Sequence, residues 1–383
     1  MHQQKQKILN NILLVQLGSL GPSLIDHLIS PIARANNVKR ILLFCHHQGP
    51  PIPNVEYHCP PKLLAKFVLG ATIFESINLY FYSLSNKSVT ISGFYLNPHG
   101  IIAFIIAKLT GKKVVVSLIA GRPELYTKGS TSGIDFSITP LPWYGKIYLN
   151  ILKHSDAIVT TGSVTKNFLV MQGVTADKIY PIISPANATR FYVTNQPKIY
   201  DILSVGYLYL IKHQEVFLKA ISLVKDNYPD IKACVVGYGP LKDALVKLAD
   251  ELGISKNVDF VGFQTNISFY YNASKIFVHT SESEGFPNVV LEAMMCGVPC
   301  VVSNCGDIID LAKDGVNSTV IQKFDDYEGF AKAIISLLEN TQLYYSLRQN
   351  ALKTMELTSI ENVTQLWELI MAKLLLPMTN NTN

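Results

Sequence analysis

Residues 89–125 constrain the fold more than any other stretch of the chain. An apolar run, VTISGFY, is followed by PHGIIAFIIAKLTG, which has helical composition, and then by a second apolar run, KKVVVSLIAG. Strand, helix and strand in that order predict a parallel sheet with helices laid on it. The pattern recurs in residues 275–305, KIFVHTSESEGFPNVVLEAMMCGVPCVVSNC. Here Lys275 to Thr280 reads as a strand, Asn288 to Cys296 as a helix stopped by Gly297, and Cys300 to Ser303 as a second strand. A chain of 383 residues exceeds one ordinary core, so two domains of ~150–200 residues each are expected.

The second of these units carries chemistry. Glu284 falls in the loop and Glu292 in the helix, while Gly285 and Pro287 shape a turn that leaves backbone N–H groups open at the helix start. Open amides near Asn288 and Val289 attract an anion such as a phosphate. A carboxylate beside them is placed to accept sugar or ribose hydroxyls. The combination suits a nucleotide sugar, although two carboxylates taken alone equally fit a solvated loop residue and a helix-surface charge.

The run EGFPNVVLEAMMCGVPCVVS resembles the E-x7-E signature of the family-4 glycosyltransferases, retaining enzymes of the GT-B fold. The resemblance extends over residues 200–321 and, more faintly, over the N-terminal half. It implies an α/β, GT-B architecture with two Rossmann-like domains facing each other across a cleft. Residues 1–195 would form the acceptor-side domain and 196–383 the donor domain, with a linker near 194–199 and a last helix, 360–376 around Trp367, packing back on the first domain. The implied reaction is a retaining transfer of a sugar from a nucleoside diphosphate sugar to a hydroxyl of a carbohydrate or lipid-linked acceptor. Lys212, in DILSVGYLYLIKHQ, matches the family lysine that stabilises the departing diphosphate. By the same resemblance Glu284 positions the donor sugar, Glu292 binds ribose hydroxyls, and Gly285, Phe286, Pro287, Asn288 and Val289 complete the donor site. VDFVGF resembles the family strand whose following loop meets the base, which adds Gly262 and Phe263. Gly18 stands in a glycine loop after the first strand, near donor phosphate and acceptor. No metal and no cofactor beyond the donor are expected.

The chain departs from the family pattern at Asn187, where an aspartate is usual, at Gly306-Asp307 in place of a glycine pair, at Ser318 in place of a glycine, and at two positions that bear on the chemistry. Tyr207 stands where an arginine is expected, and tyrosine donates one neutral hydrogen bond in place of a bidentate charged pair. His213 or Arg122 are candidates to supply the missing charge. Ala120 precedes Gly121 where a histidine is expected, with Arg122, Glu124 or His99 as replacements on the acceptor side. These departures motivate an alternative reading, a non-catalytic sugar-nucleotide or glycan-binding protein on the same scaffold. An epimerase of the same fold is a third reading, without a reason for E-x7-E. GYGPLK has Lys242 at the third glycine position of a dinucleotide fingerprint, which excludes that motif.

Charge divides the halves. Residues 1–198 carry 19 Lys/Arg against 7 Asp/Glu (+12), and 199–383 carry 14 against 21 (−7). A basic first half points to an anionic membrane surface or acidic acceptor, and the lack of basic runs interleaved with aromatics argues against nucleic acid. Leu63 to Leu84 is long and apolar, with Lys62, Lys66 and Lys87 close by. Glu75 and Asn78 exclude a membrane span, leaving a buried helix or a helix lying on a membrane surface. Six cysteines without a CxxC pair read as reduced core thiols. The start, MHQQKQKILNNILLVQLGSL, lacks a secretion signal, so a cytoplasmic protein is expected, peripheral at the inner membrane face.

Overall fold

The computed structural model of the protein describes residues 12–126, 139–183, 185, 187–354 and 358–375. Residues 1–11, on which part of the reading of the chain start rests, lie outside them. Of the described residues, 12–126, 140–183, 185 and 359–375 form one compact unit, and 139, 187–354 and 358 the other.

The first unit is built on seven parallel strands: β1 (Ile12–Gly18), β2 (Arg40–Cys45), β3 (Val55–His58), β4 (Val89–Phe94), β5 (Lys113–Leu118), β6 (Ala157–Thr160) and β7 (Ile179–Pro181). Their order across the sheet is β3-β2-β1-β4-β5-β6-β7. β4 and β5 with the helix Ile101–Thr110 between them are the unit legible in residues 89–125. Both faces of the sheet are covered, and β1, β2 and β5 accordingly carry apolar residues at successive positions rather than alternate ones. Leu13, Val15 and Leu17 of β1 join one core with Ile25, Ile29 and Ile32 of the helix Pro22–Ala33. The helix Ile360–Leu375 completes that core through Val363, Trp367, Ile370 and Met371. Thr364 fixes it by donating to the Pro31 carbonyl at 3.1 Å, and Asn37 donates to Glu368 O at 2.7 Å.

Residues 62–85 correct one expectation. They form two helices, Lys62–Ala65 and Val68–Ser85, and only Ala71, Glu75, Leu79 and Ser83 of the second are buried. The segment is therefore not a buried helix: a period of four turns one ridge inward and leaves the opposite face in solvent.

The second unit has six parallel strands: β8 (Tyr200–Val205), β9 (Ala233–Val236), β10 (Val258–Gly262), β11 (Ser274–His279), β12 (Cys300–Ser303) and β13 (Ser318–Ile321), in the order β10-β9-β8-β11-β12-β13. The order reverses between β8 and β11, which makes their carboxyl ends the crevice where ligands of open α/β sheets bind. Ile202, Val235, Ile276, Val278 and Val301 pack under helices Gln214–Asn227 and Tyr327–Glu339. All six cysteines are free thiols.

Candidate active site

The loops that leave β8 and β11 converge. After β8 the chain passes Tyr207, makes a short turn at Leu210–Lys212 and enters the helix Gln214–Asn227. After β11 it runs through Glu284 to the helix Asn288–Met295. Thr280 Oγ1 donates to the Lys212 and His213 carbonyls, both at 2.9 Å, and Ser281 Oγ donates to the Ile211 carbonyl at 3.0 Å. These bonds set Lys212 against Glu284, whose Oε1 accepts from Lys212 Nζ and from His279 Nε2, the latter at 3.2 Å. Burial opposes the charge on Glu284, yet the Lys212 ammonium and the His279 hydrogen bond outweigh it and hold the carboxyl down at about 2. Gly306 allows the loop to lie this close. Its φ is +54°, and a side chain there would place Cβ 2.0 Å from the Glu284 carbonyl oxygen.

The helix Asn288–Met295 begins after Pro287 without a side-chain cap. Elsewhere in this unit Asn266, Asp326 and Asn340 cap their helices by accepting from Phe269, Gly329 and Leu343 N–H. The helices Gln214–Asn227 and Lys242–Glu251 also lack a side-chain cap. At the Asn288 helix Val290 N–H donates back to the Pro287 carbonyl at 3.0 Å, and the Asn288 and Val289 amides stand at the positive end of the helix dipole, where an anion is favoured. One turn on, Glu292 accepts a hydrogen bond from Tyr271 O–H at 3.0 Å, and burial pushes its carboxyl up to about 7 despite that bond and the nearby Arg190 charge.

Tyr207 is 47% exposed and stacks on Tyr209, with ring centroids 6.0 Å apart. Its ring also meets Tyr238 edge-on at 5.2 Å, and Tyr238 meets Phe263, itself 65% exposed, at 5.6 Å. Exposed rings in contact at the ends of β8, β9 and β10 offer a stacking surface. Gly262 closes β10 directly before Phe263. Gly285 accepts from Asp307 N–H at 3.0 Å, so it shapes the loop through its backbone, and Phe286 is buried. His213, a candidate to replace the missing arginine, is turned elsewhere. Its ring contacts Glu215 at 2.5 Å and Glu282 at 3.1 Å. Burial disfavours its proton, but the two carboxylates raise its pKa and take up its charge.

In the first unit the candidate residues follow the carboxyl ends of three neighbouring strands: Gly18 closes β1, His99 follows β4, and Arg122 and Glu124 follow β5. Gly18 has φ +68°, and a Cβ there would lie 2.1 Å from His99 Nε2, so glycine is what lets the imidazole reach the strand end. Burial first, then His46, pushes the His99 imidazole down to about 4, and its Nδ1 is buried without a hydrogen-bond partner. Glu124 accepts from Leu96 N–H at 2.5 Å and Ala120 N–H at 2.6 Å, tying the loop of His99 to that of Arg122. Arg122 N–H donates to Thr165 Oγ1 at 3.3 Å. Beside His99, Glu75 from the helix Val68–Ser85 approaches His46 at 3.4 Å, with neither carboxylate oxygen hydrogen-bonded. Burial raises Glu75 to about 8 and lowers His46, so the contact is between a neutral acid and a neutral imidazole rather than an ion pair.

Residues 188–354 match the family described as glycosyl transferases, group 1. This segment contains Lys212, Glu284 and Glu292. The chain is 31% identical over 190 residues to an uncharacterized glycosyltransferase of Haemophilus influenzae, covering 49% of this chain and 54% of that one, about half its length. It is 26% identical over 316 residues to a UDP-Gal:alpha-D-GlcNAc-diphosphoundecaprenol alpha-1,3-galactosyltransferase of Escherichia coli, covering 79% and 81% of the two chains. The structure of HepE from Anabaena in complex with UDP superposes with a TM-score of 0.73 at 17% identity, covering 93% of this chain and 98% of that one. The fold is GT-B, and the comparisons together support a glycosyltransferase.

Several residues of these clusters escape a reading of the sequence. Tyr238 and Tyr271 lie 21 or more positions from the site residues they touch, and His279, although only five positions from Glu284, carries no motif of its own. Glu75 did leave a signal: it is the one acid between residues 57 and 123. Among the described residues no group of His, Cys, Asp and Glu is arranged to hold a metal ion.

Proposed function

We propose that the protein is a retaining glycosyltransferase that moves a sugar, a hexose in the first instance, from a nucleoside diphosphate sugar to a hydroxyl of a carbohydrate or lipid-linked acceptor in glycan biosynthesis. The observation that carries this reading is the Lys212–Glu284 pair beside the uncapped start of the helix Asn288–Met295, within the segment that matches group 1. As the bond from the anomeric carbon to the diphosphate oxygen breaks, negative charge grows on the leaving group. The Lys212 ammonium and the amides of Asn288 and Val289 stabilise it, and this role needs no metal. The acceptor oxygen bonds to the anomeric carbon and its proton passes to the departing phosphate oxygen. Lys212 and His279 both bond Glu284 at Oε1, which leaves Oε2 to accept a donor sugar hydroxyl. Glu292, one turn further on, accepts the ribose hydroxyls, and the rings of Tyr207 and Phe263 with Gly262 flank the base. Gly18, His99 and Arg122 serve the acceptor. Known relatives favour this assignment: the Escherichia coli relative is named for a UDP-galactose donor and a lipid diphosphate acceptor, and HepE was solved with UDP.

We further propose that the protein works at the cytoplasmic face of the membrane, as a peripheral protein. No helix among the described residues is long and apolar enough to cross a membrane. Tyr207 and Ala120 favour a second reading, a binding protein that holds the nucleotide sugar without transferring it. Mass spectrometry of products from a panel of nucleoside diphosphate sugars, with and without lipid extract, separates the two. Transfer requires a product heavier than the acceptor by one sugar residue; bound donor without any product supports the second reading.

A further inference from the structure

We propose that the outward face of the helix Val68–Ser85 is a docking surface for an anionic phospholipid bilayer. The inward ridge of this helix is Ala71, Glu75, Leu79 and Ser83. Two residues out of phase, and so on the opposite side of the cylinder, stand Leu69, Ile73, Ile77 and Phe81, with exposures of 74%, 50%, 51% and 60%. A helix that lies on a core and faces water carries polar residues there. This one repeats an apolar side chain at every fourth position, Leu84 at its end prolongs the row, and Phe67 just before the helix is also exposed. The neighbouring helix Ile101–Thr110 packs beside it and adds exposed Ile105 and Leu109. Contiguous apolar surface of this extent marks an interaction site rather than scattered exposure.

The charges name the partner. Between residues 57 and 123 the chain has seven basic residues, Lys62, Lys66, Lys87, Lys108, Lys112, Lys113 and Arg122, and one acid, the buried Glu75. Lys62, Lys66, Lys87 and Lys108 are exposed. A second copy of the chain on this face would bring lysines against lysines. A bilayer with anionic headgroups answers both features: its acyl boundary takes the apolar row to a depth of about 5–10 Å while the headgroups meet the ammonium groups. From Leu69 to Leu84 the row runs roughly 20 Å along the helix, in the membrane plane rather than through it. This names the surface behind the peripheral placement proposed above, and it does not depend on sugar transfer.

The test is cosedimentation of the full chain with sucrose-loaded vesicles of phosphatidylcholine alone or with about 30% phosphatidylglycerol. Wild type should sediment with the anionic vesicles and be released several-fold as salt rises from about 50 to about 300 mM. Leu69→Ser with Ile73→Ser should weaken binding by about tenfold or more, and Lys62→Gln with Lys66→Gln by a similar factor on anionic vesicles only. All four residues are exposed, so far-UV circular dichroism should be unchanged. Wild type that stays in the supernatant at low salt overturns the proposal, as does a Leu69, Ile73 variant that binds like wild type. A wild-type dimer that this variant splits assigns the face to a second copy and also overturns it. Vesicle binding by a protein that turns over no donor refutes the transferase reading and leaves the docking surface intact.

Discussion

Replacing Lys212 by methionine keeps the stem of the side chain and removes its charge. The Glu284 carboxyl is held at about 2 against a reference of 4.5, a difference of about 2.5. At about 1.4 kcal/mol per pH unit this amounts to roughly 3 kcal/mol of stability. Because the folded pKa is depressed, that stability is present above pH 4.5 and is lost as pH falls through about 2. Without Lys212 the remaining partner named for Glu284 is His279, and burial, the largest influence on this carboxyl, then pushes its pKa upward. Lys212→Met should destabilise the second unit by about 3–5 kcal/mol at pH 7, the usual cost of leaving one member of a buried pair alone. Glu284→Gln added to Lys212→Met should restore most of this, since no unpaired charge then remains. The assay is urea unfolding at neutral pH for wild type, the single and the double variant, with a carbon-13 titration of the Glu284 carboxyl. A loss under about 1 kcal/mol, the size of an exposed ion pair, together with a carboxyl still titrating near 2, would refute the coupling.

Glu292→Ala should weaken binding of a nucleoside diphosphate by about 1–3 kcal/mol, because ribose hydroxyls and the buried Tyr271 O–H lose their acceptor; unchanged affinity by calorimetry removes that role. Burial raises Glu75 to about 8, so its contribution to stability is full below pH 4.5 and lost as pH rises through about 8. Glu75→Gln needs no proton to stay neutral and should be more stable than wild type by roughly 3 kcal/mol at pH 7, with the gap closing towards pH 4.5. Parallel melting temperatures for the two proteins from pH 5 to about pH 9 would show that Glu75 does not titrate with unfolding.

What the chain revealed in advance was local. β4, the following helix and β5 lie within 30 residues (89–118), and each segment shows its own apolar pattern, so the parallel sheet could be read directly. Glu284 and Glu292 likewise sit in one strand–loop–helix unit, and their loop and helix positions follow from the turn residues between them. Contacts made by remote segments were not legible. Lys212 and Glu284 are 72 positions apart, and neither residue announces the other. His213 looked as available as Lys212, because its sequestration depends on Glu282, 69 positions away. The segment 62–85 was ambiguous for a different reason. An almost continuous apolar run fits a buried helix and an interfacial one equally, and which ridge faces inward is decided by packing of Ala71, Glu75 and Leu79 rather than by composition.

Sugar transfer by this chain, as proposed, requires that Lys212 carry the charge of the departing diphosphate. Release of nucleoside diphosphate, measured across a donor panel with and without lipid extract, tests it most directly in wild type, Lys212→Met and Tyr207→Arg, at a temperature where all three are folded. Wild type should turn over at least one donor, Lys212→Met should lose about a hundredfold or more, and Tyr207→Arg, which adds a second cation at the end of β8, should gain. Wild-type activity that survives Lys212→Met would show that the phosphate site lies elsewhere. Silence of both wild type and Tyr207→Arg with every donor would contradict transfer and leave a protein that binds nucleotide sugars.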